Sequence, residues 1–126
     1  MKFQPDRSEG VNAITRQETN RVWVGTQVHA ASVLVPWQGE VQAWNATQAA
    51  DLTEAHFERI LKLKPELVIY GSGERLRFLR PAVYRVLIEN GIGMETMDTA
   101  AACRTYNVLA SEGRTVVAAL LIGPGA

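Results

Sequence analysis

The chain is poor in the residues that most often announce a chemistry. Its one cysteine, Cys103, cannot form an intrachain disulfide, which fits a reducing compartment and gives a cytoplasmic expectation. The two histidines, His29 and His56, stand alone, without cysteine partners or zinc-site spacing, so neither a metal nor a cofactor is expected. No run reaches the roughly 20 apolar residues of a bilayer span, so no membrane insertion is expected. The opening MKFQPDRSEG has no apolar stretch and does not read as a secretory signal. Charge of one sign is also missing. Lys plus Arg and Asp plus Glu stand at 13 each, which gives no general attraction to phosphate backbones and argues against a nucleic-acid partner. No carboxylate pair stands out for acid–base work.

What is present is a core. Apolar residues make up 47% of 126 residues, enough for one folded domain over 1–126 and too many for a disordered chain. The first half, to about Ala50, is rich in β-formers. Asn12–Gln17 is a weak strand candidate. Arg21–His29 alternates and reads as one strand. Ser32–Val35 is a short strand stopped by Pro36, and 37–44 reads as a loop or irregular hairpin.

The second half alternates between helix and strand. Asp51 with Glu54 three residues on suggests a capping box, followed by Phe57, Ile60 and Leu61 on one face. Pro65 ends that helix. Leu67–Tyr70 reads as a buried strand running into Gly71-Ser72-Gly73. Pro81 suits a first helical turn, with Leu79 and Tyr84 placed as a hydrophobic staple. Val83, Val86 and Leu87 make the buried stripe, and Gly91 the C-cap. Gly93–Met97 is a weaker strand, and Thr115–Ile122 closes as an apolar one. The β-α-β-α-β order from Leu67 requires crossovers, so its strands are expected to be parallel. The expected fold is α/β or α+β: a β-rich N-terminal layer packed with this unit in a three-layer sandwich.

The segment DTAAACRTYNVLASEGRTVVAALL is the most distinctive. Asp98 or Thr99 caps the helix, and Ala102, Tyr106 and Leu109 share a face with Cys103 and Ala110 beside it. The small residues allow close approach to a sheet, and Tyr106 supplies bulk. Asn107 is placed to pin a neighbouring segment. Gly113 ends the helix, with Glu112 and Arg114 flanking the turn as a pair.

These residues carry a resemblance. Pro65-Glu66-Leu67, Gly71-Ser72-Gly73, Met97-Asp98-Thr99, Ala102-Cys103, Tyr106-Asn107, Leu109 and Glu112-Gly113-Arg114 resemble a small α/β family. It includes the mitochondrial NADH dehydrogenase (complex I) alpha-subcomplex assembly factor three, an adipogenesis-associated relative and many uncharacterised prokaryotic proteins. Ala31-Ser32-Val33-Leu34-Val35-Pro36 is similar to the family's small-Ser-apolar-Pro pattern, with Ala31 where relatives often carry glycine. The resemblance covers about Gly10 to Leu121. It implies a β layer beside an α/β layer and protein partners, and it implies no catalytic residues.

Two candidate sites follow. Gly71, Ser72, Gly73, Asp98, Thr99 and Arg104 gather at the carboxyl ends of the expected parallel strands, where open α/β sheets bind ligands. Backbone N–H groups of the Gly loop suit an anion there, although neither a Rossmann nor a P-loop pattern is complete. Gly73→Val is then expected to abolish ligand binding with the fold mostly intact. Trp37 and Trp44 bracket a polar loop as a binding rim, and Arg75 and Arg77 form a basic patch, together a candidate partner surface. Cys103 has no histidine near it in sequence and faces the core, so it reads as structural.

The leading expectation is a non-catalytic interaction or assembly module, assisting assembly of a larger respiratory or membrane complex. The alternative is a small-molecule binder or enzyme with an anion site at the strand ends. Enzymatic activity stays open, with the non-catalytic reading preferred. A protein partner is expected, and a homo-oligomer stays open.

Overall fold

Every residue of the closing apolar run Val116–Ile122 is buried, and the run faces two cores in alternation. Val116, Ala118, Leu120 and Ile122 enter one core, while Val117, Ala119 and Leu121 enter the other. A strand covered on both faces has no use for polar alternation, which explains why the segment reads as an unbroken apolar run. The computed structural model that shows this describes residues 10–126.

The elements in chain order are β1 (Ile14–Glu18), β2 (Arg21–Val24), β3 (Gln27–His29), β4 (Val33–Pro36), β5 (Gln42–Ala43), α1 (Glu54–Leu61), β6 (Leu67–Gly71), α2 (Arg85–Glu89), β7 (Gly93–Met97), α3 (Thr99–Ser111) and β8 (Val116–Leu120). Short 3-10 turns cover Ala49–Asp51 and Pro81–Tyr84. A central five-stranded sheet has the order β5-β4-β8-β6-β7, and β1-β2-β3 form a separate antiparallel sheet. β6 is parallel to both β7 and β8, as the crossovers required. β4 runs antiparallel to β8 and β5. The result is the expected mixed α/β sandwich.

The connection from β6 to β7 passes through α2, and the return from β7 across β6 to β8 passes through α3. The two steps run in opposite directions along the sheet. With right-handed crossovers, that reversal places the helices on opposite faces. Leu87 of α2 joins Leu34, Trp44, Phe57, Val68 and Tyr70 on one face. Ala102, Cys103 and Tyr106 of α3 join Ile14, Val22, Val33 and Ile69 on the other. The small sheet and α3 thus cover one side of the central sheet, and α1 and α2 cover the other.

Several local expectations are corrected. Arg21–His29 is two strands, because Gly25, at φ +60°, opens a two-residue turn between Val24 and Gln27. Asp51 does not cap α1. Its carboxylate accepts from the Thr47 and Gln48 N–H groups, which holds its pKa below the usual carboxylate range. Thr53 occupies the N-cap of α1, and the N3 partner is His56 rather than an acid. The Thr53 N–H donates to His56 Nδ1 at 3.0 Å, and Nε2 lies 3.0 Å from the Asn45 carbonyl, so the ring bridges the cap to the preceding loop. Pro81 starts a 3-10 turn before α2. Arg114 pairs with Glu66 rather than with Glu112, and so ties the end of α3 to the start of β6.

Candidate functional site

β6 and β7 lie side by side, and their outgoing chains leave toward opposite faces of the sheet. Such a divergence is where an open α/β sheet forms its ligand crevice. Here the crevice is stitched shut. The Ser72 N–H donates to the Met97 carbonyl at 2.9 Å, and the Thr99 N–H to the Gly73 carbonyl at 2.8 Å. The Gly73 N–H donates to Thr99 Oγ1 at 2.9 Å, and that hydroxyl donates onward to the Leu121 carbonyl at 2.9 Å. Thr99 therefore joins the ends of β6, β7 and β8 through one buried oxygen.

Glycine is required at Gly73 and closely fitted at Gly71. A Cβ on Gly71 would lie 3.0 Å from the Thr99 backbone and side chain. Gly73 sits at φ +105°, and a Cβ there would lie 2.2 Å from the Ala126 carbonyl carbon. Gly73→Val would therefore have to displace Ala126 at the chain end. Ser72 is 1% exposed. Its hydroxyl donates to the Arg75 carbonyl at 2.6 Å and accepts from the Arg77 N–H at 2.9 Å. The Asp98 carboxylate caps α3 by accepting from the Ala101 N–H at 2.8 Å. Arg104 stays exposed on the second turn of α3 and enters none of these bonds. Of the six residues expected to share an anion site, five are brought together, and their polar groups are bonded within the protein, Thr99 to Gly73 and Leu121, Ser72 to Met97, Arg75 and Arg77, and Asp98 to Ala101.

The aromatic rim is not formed. Trp44 is 2% exposed, packed edge-on against Phe57 and Tyr70 at 5.8 and 6.3 Å. The short β4–β5 hairpin turns it inward, where its indole N–H donates to the His56 carbonyl at 3.3 Å. Trp37 is half-buried against the same core. Trp23 lies half-buried in the small sheet, with the Arg16 and Arg21 guanidinium groups 4.9 and 5.4 Å from its ring centre. Arg75 and Arg77 remain exposed, beside an open recess of about 340 Å³ that also involves Asn20, Glu74 and residues 123–126.

Sequence reasoning placed two residues well and missed two others. Tyr106 is fully buried, and its hydroxyl donates to the Asn12 and Pro36 carbonyls at 2.8 and 3.1 Å. Burial holds the pKa of that phenol above its ordinary value. Asn107 clamps Ile14 from both sides, accepting from its N–H at 2.9 Å and donating to its carbonyl at 2.8 Å. Missed were the exposed Leu76 and Phe78, at 52% and 76%. Their signal was the interleaving of basic and apolar residues in ERLRFLR. Cys103 is buried, and its thiol is pushed up to about 12, which leaves it protonated and unreactive near neutrality. Among the described residues, no group of His, Cys, Asp and Glu is placed to hold a metal, and no helix is long and apolar enough to cross a membrane.

Comparison with known proteins agrees with this architecture. Bovine (Bos taurus) NADH dehydrogenase [ubiquinone] 1 alpha subcomplex assembly factor 3 is 41% identical over 103 residues, covering 80% of this chain and 55% of that protein. The chain thus spans about half the length of the assembly factors it matches. A crystal structure from Bordetella parapertussis superposes with a TM-score of 0.85 at 35% identity, covering 90% of this chain and 97% of that one. The solution structure of a Mth938-like domain from Bordetella pertussis gives 0.82 at 29% identity, covering 97% and 92%. Residues 14–121 match the family described as "Protein of unknown function (DUF498/DUF598)", and with these sequence relatives the chain belongs to that family.

Proposed function

We propose that the chain is a non-catalytic interaction module that helps assemble a larger respiratory or membrane complex in the cytoplasm. The observation that carries this reading is the contrast at the sheet's carboxyl edge. Ser72, Asp98 and Thr99, the groups best placed for chemistry, are bonded within the protein. The neighbouring Arg75 and Arg77 are exposed, with Leu76 between them and Phe78 following. Such a segment suits docking better than turnover. The relatives named as assembly factors support a protein partner, and the lone buried cysteine supports a reducing compartment.

The small-anion reading draws support from the recess beside Arg75 and Arg77. One experiment separates the two. The tagged chain is isolated from native extract and its companions are identified by mass spectrometry, beside a thermal-shift panel of nucleotides and sugar phosphates on the pure chain. A stoichiometric protein companion, with no panel member stabilising the pure chain, is the expected outcome. Isolation without any companion, together with stabilisation by a panel member, would sink the module reading in favour of the ligand site.

A further inference from the structure

We propose that the segment from Glu74 to Arg80 docks the protein onto an anionic lipid bilayer, with Leu76 and Phe78 entering the interfacial layer and Arg75, Arg77 and Arg80 on headgroup phosphates. The inference rests on the reading of the chain as a module working beside a membrane complex, and names the surface it meets there.

Phe78 is 76% exposed, more than any other large apolar residue described, and Leu76 is 52% exposed two positions before it. Val28, Ile88 and Val108, the other exposed apolar side chains, stand singly on β3, α2 and α3. Single exposed apolar residues are ordinary, but two beside three arginines on one short segment are not. None of the ion pairs among the described residues involves Arg75, Arg77 or Arg80, and the only carboxylate in the segment is Glu74. Guanidinium forks match phosphate oxygens.

The exposure is held in place by the fold. The buried Ser72 hydroxyl grips the backbone at Arg75 and Arg77, and Leu79 packs into the core beside α1 and α2. Between those two anchors the chain belongs to neither helix nor sheet, and Phe78 projects from it.

A bilayer fits this shape better than a protein does. A stable protein interface buries about 800 Å² per partner around an apolar centre, and two side chains fall far short of that. The recess beside the segment is lined by Asn20, Glu74, Arg75, Arg77 and residues 123–126, whose only apolar side chains, Pro124 and Ala126, make a small seat for a partner's anchor. A lipid interface needs no complementary shape. It accepts a projecting aromatic at headgroup depth and attracts flanking basic residues.

The test uses the pure chain and sedimented vesicles, either phosphatidylcholine alone or phosphatidylcholine and phosphatidylglycerol in equal parts. Retention on the mixed vesicles only, weakening as salt rises, is expected. Phe78→Ser should weaken retention about tenfold or more. Reversing Arg75, Arg77 and Arg80 to Glu together should abolish it. Because these side chains are exposed, both variants should melt with the parent, which keeps a loss of retention from being a loss of fold. Equal retention on both vesicle types, or retention untouched by either variant, would overturn the proposal. No vesicle binding, with a stoichiometric protein companion lost in the same variants, would assign the segment to a protein and overturn the lipid reading too. The vesicles carry no protein, so their failure alone leaves the assembly-module reading standing.

Discussion

Helix α3 and the Glu74–Arg80 segment leave the same edge of the sheet from adjacent strands, and they direct their polar groups oppositely. α3 turns them inward. Asp98 caps its first turn, Thr99 ties three strand ends, Tyr106 bonds two carbonyls of the N-terminal half, and Asn107 clamps Ile14. The Glu74–Arg80 segment is held only near its two ends, by Ser72 at one and by Leu79 and the Arg80 carbonyl at the other, and projects Leu76 and Phe78 between them. Dense substitution-sensitive bonding in one region and permissive exposure in the other is what separates a scaffold from a docking element. Two neighbouring stretches of similar polarity can therefore have unlike roles, and burial tells them apart.

The sharpest way to break the comparison is Tyr106→Ala, which empties the centre of one core and orphans the hydroxyl's partners. It should cost about 3–5 kcal/mol. A chemical-denaturation midpoint close to the parent's would mean that α3 is not the scaffold claimed. Thr99→Val keeps the shape but strands a buried N–H and carbonyl, at about 2–4 kcal/mol. Faster hydrogen exchange at the Gly73 amide should accompany that loss, and unchanged protection there would refute the stitched edge. Asp98→Ala removes a cap, at about 1 kcal/mol. If it instead destabilised as strongly as Tyr106→Ala, the carboxylate would have a role beyond capping. The smallest effect belongs to the other region. Arg77→Ala should shift stability by under about 0.5 kcal/mol, since the backbone rather than the side chain meets Ser72. A larger loss in calorimetry would show the segment to be structural and erase the contrast.

Most of the second half was legible in the sequence because its signals are local. Pro81, Gly91, Asp98 and Gly113 mark ends by backbone geometry that a few residues control. The β-α-β-α-β order implied parallel strands, and the wheel of α3 placed Tyr106 and Asn107. The first half was harder. Gly25 reads equally as a strand residue or a turn, and only pairing of Val24 with Gln27 decides it. Asp51 looks like the cap for α1, but its carboxylate is taken by Thr47 and Gln48, which only the fold brings to it, and Thr53 holds the cap. Trp44 looked exposed because polar residues surround it in sequence, while the hairpin turns it into a core built from α1 and β6.

By itself the sequence determined the alternation of helices and strands, the apolar strand β8 and the inward face of α3, because these follow from periodicity and end-capping over a few residues. The tertiary structure alone decided whether the carboxyl edge is open or shut. A serine, a threonine and two glycines at strand ends suit a ligand or a seam equally well. The difference lies in whether Thr99 reaches Gly73 and Leu121, residues distant in sequence whose separation no local pattern encodes.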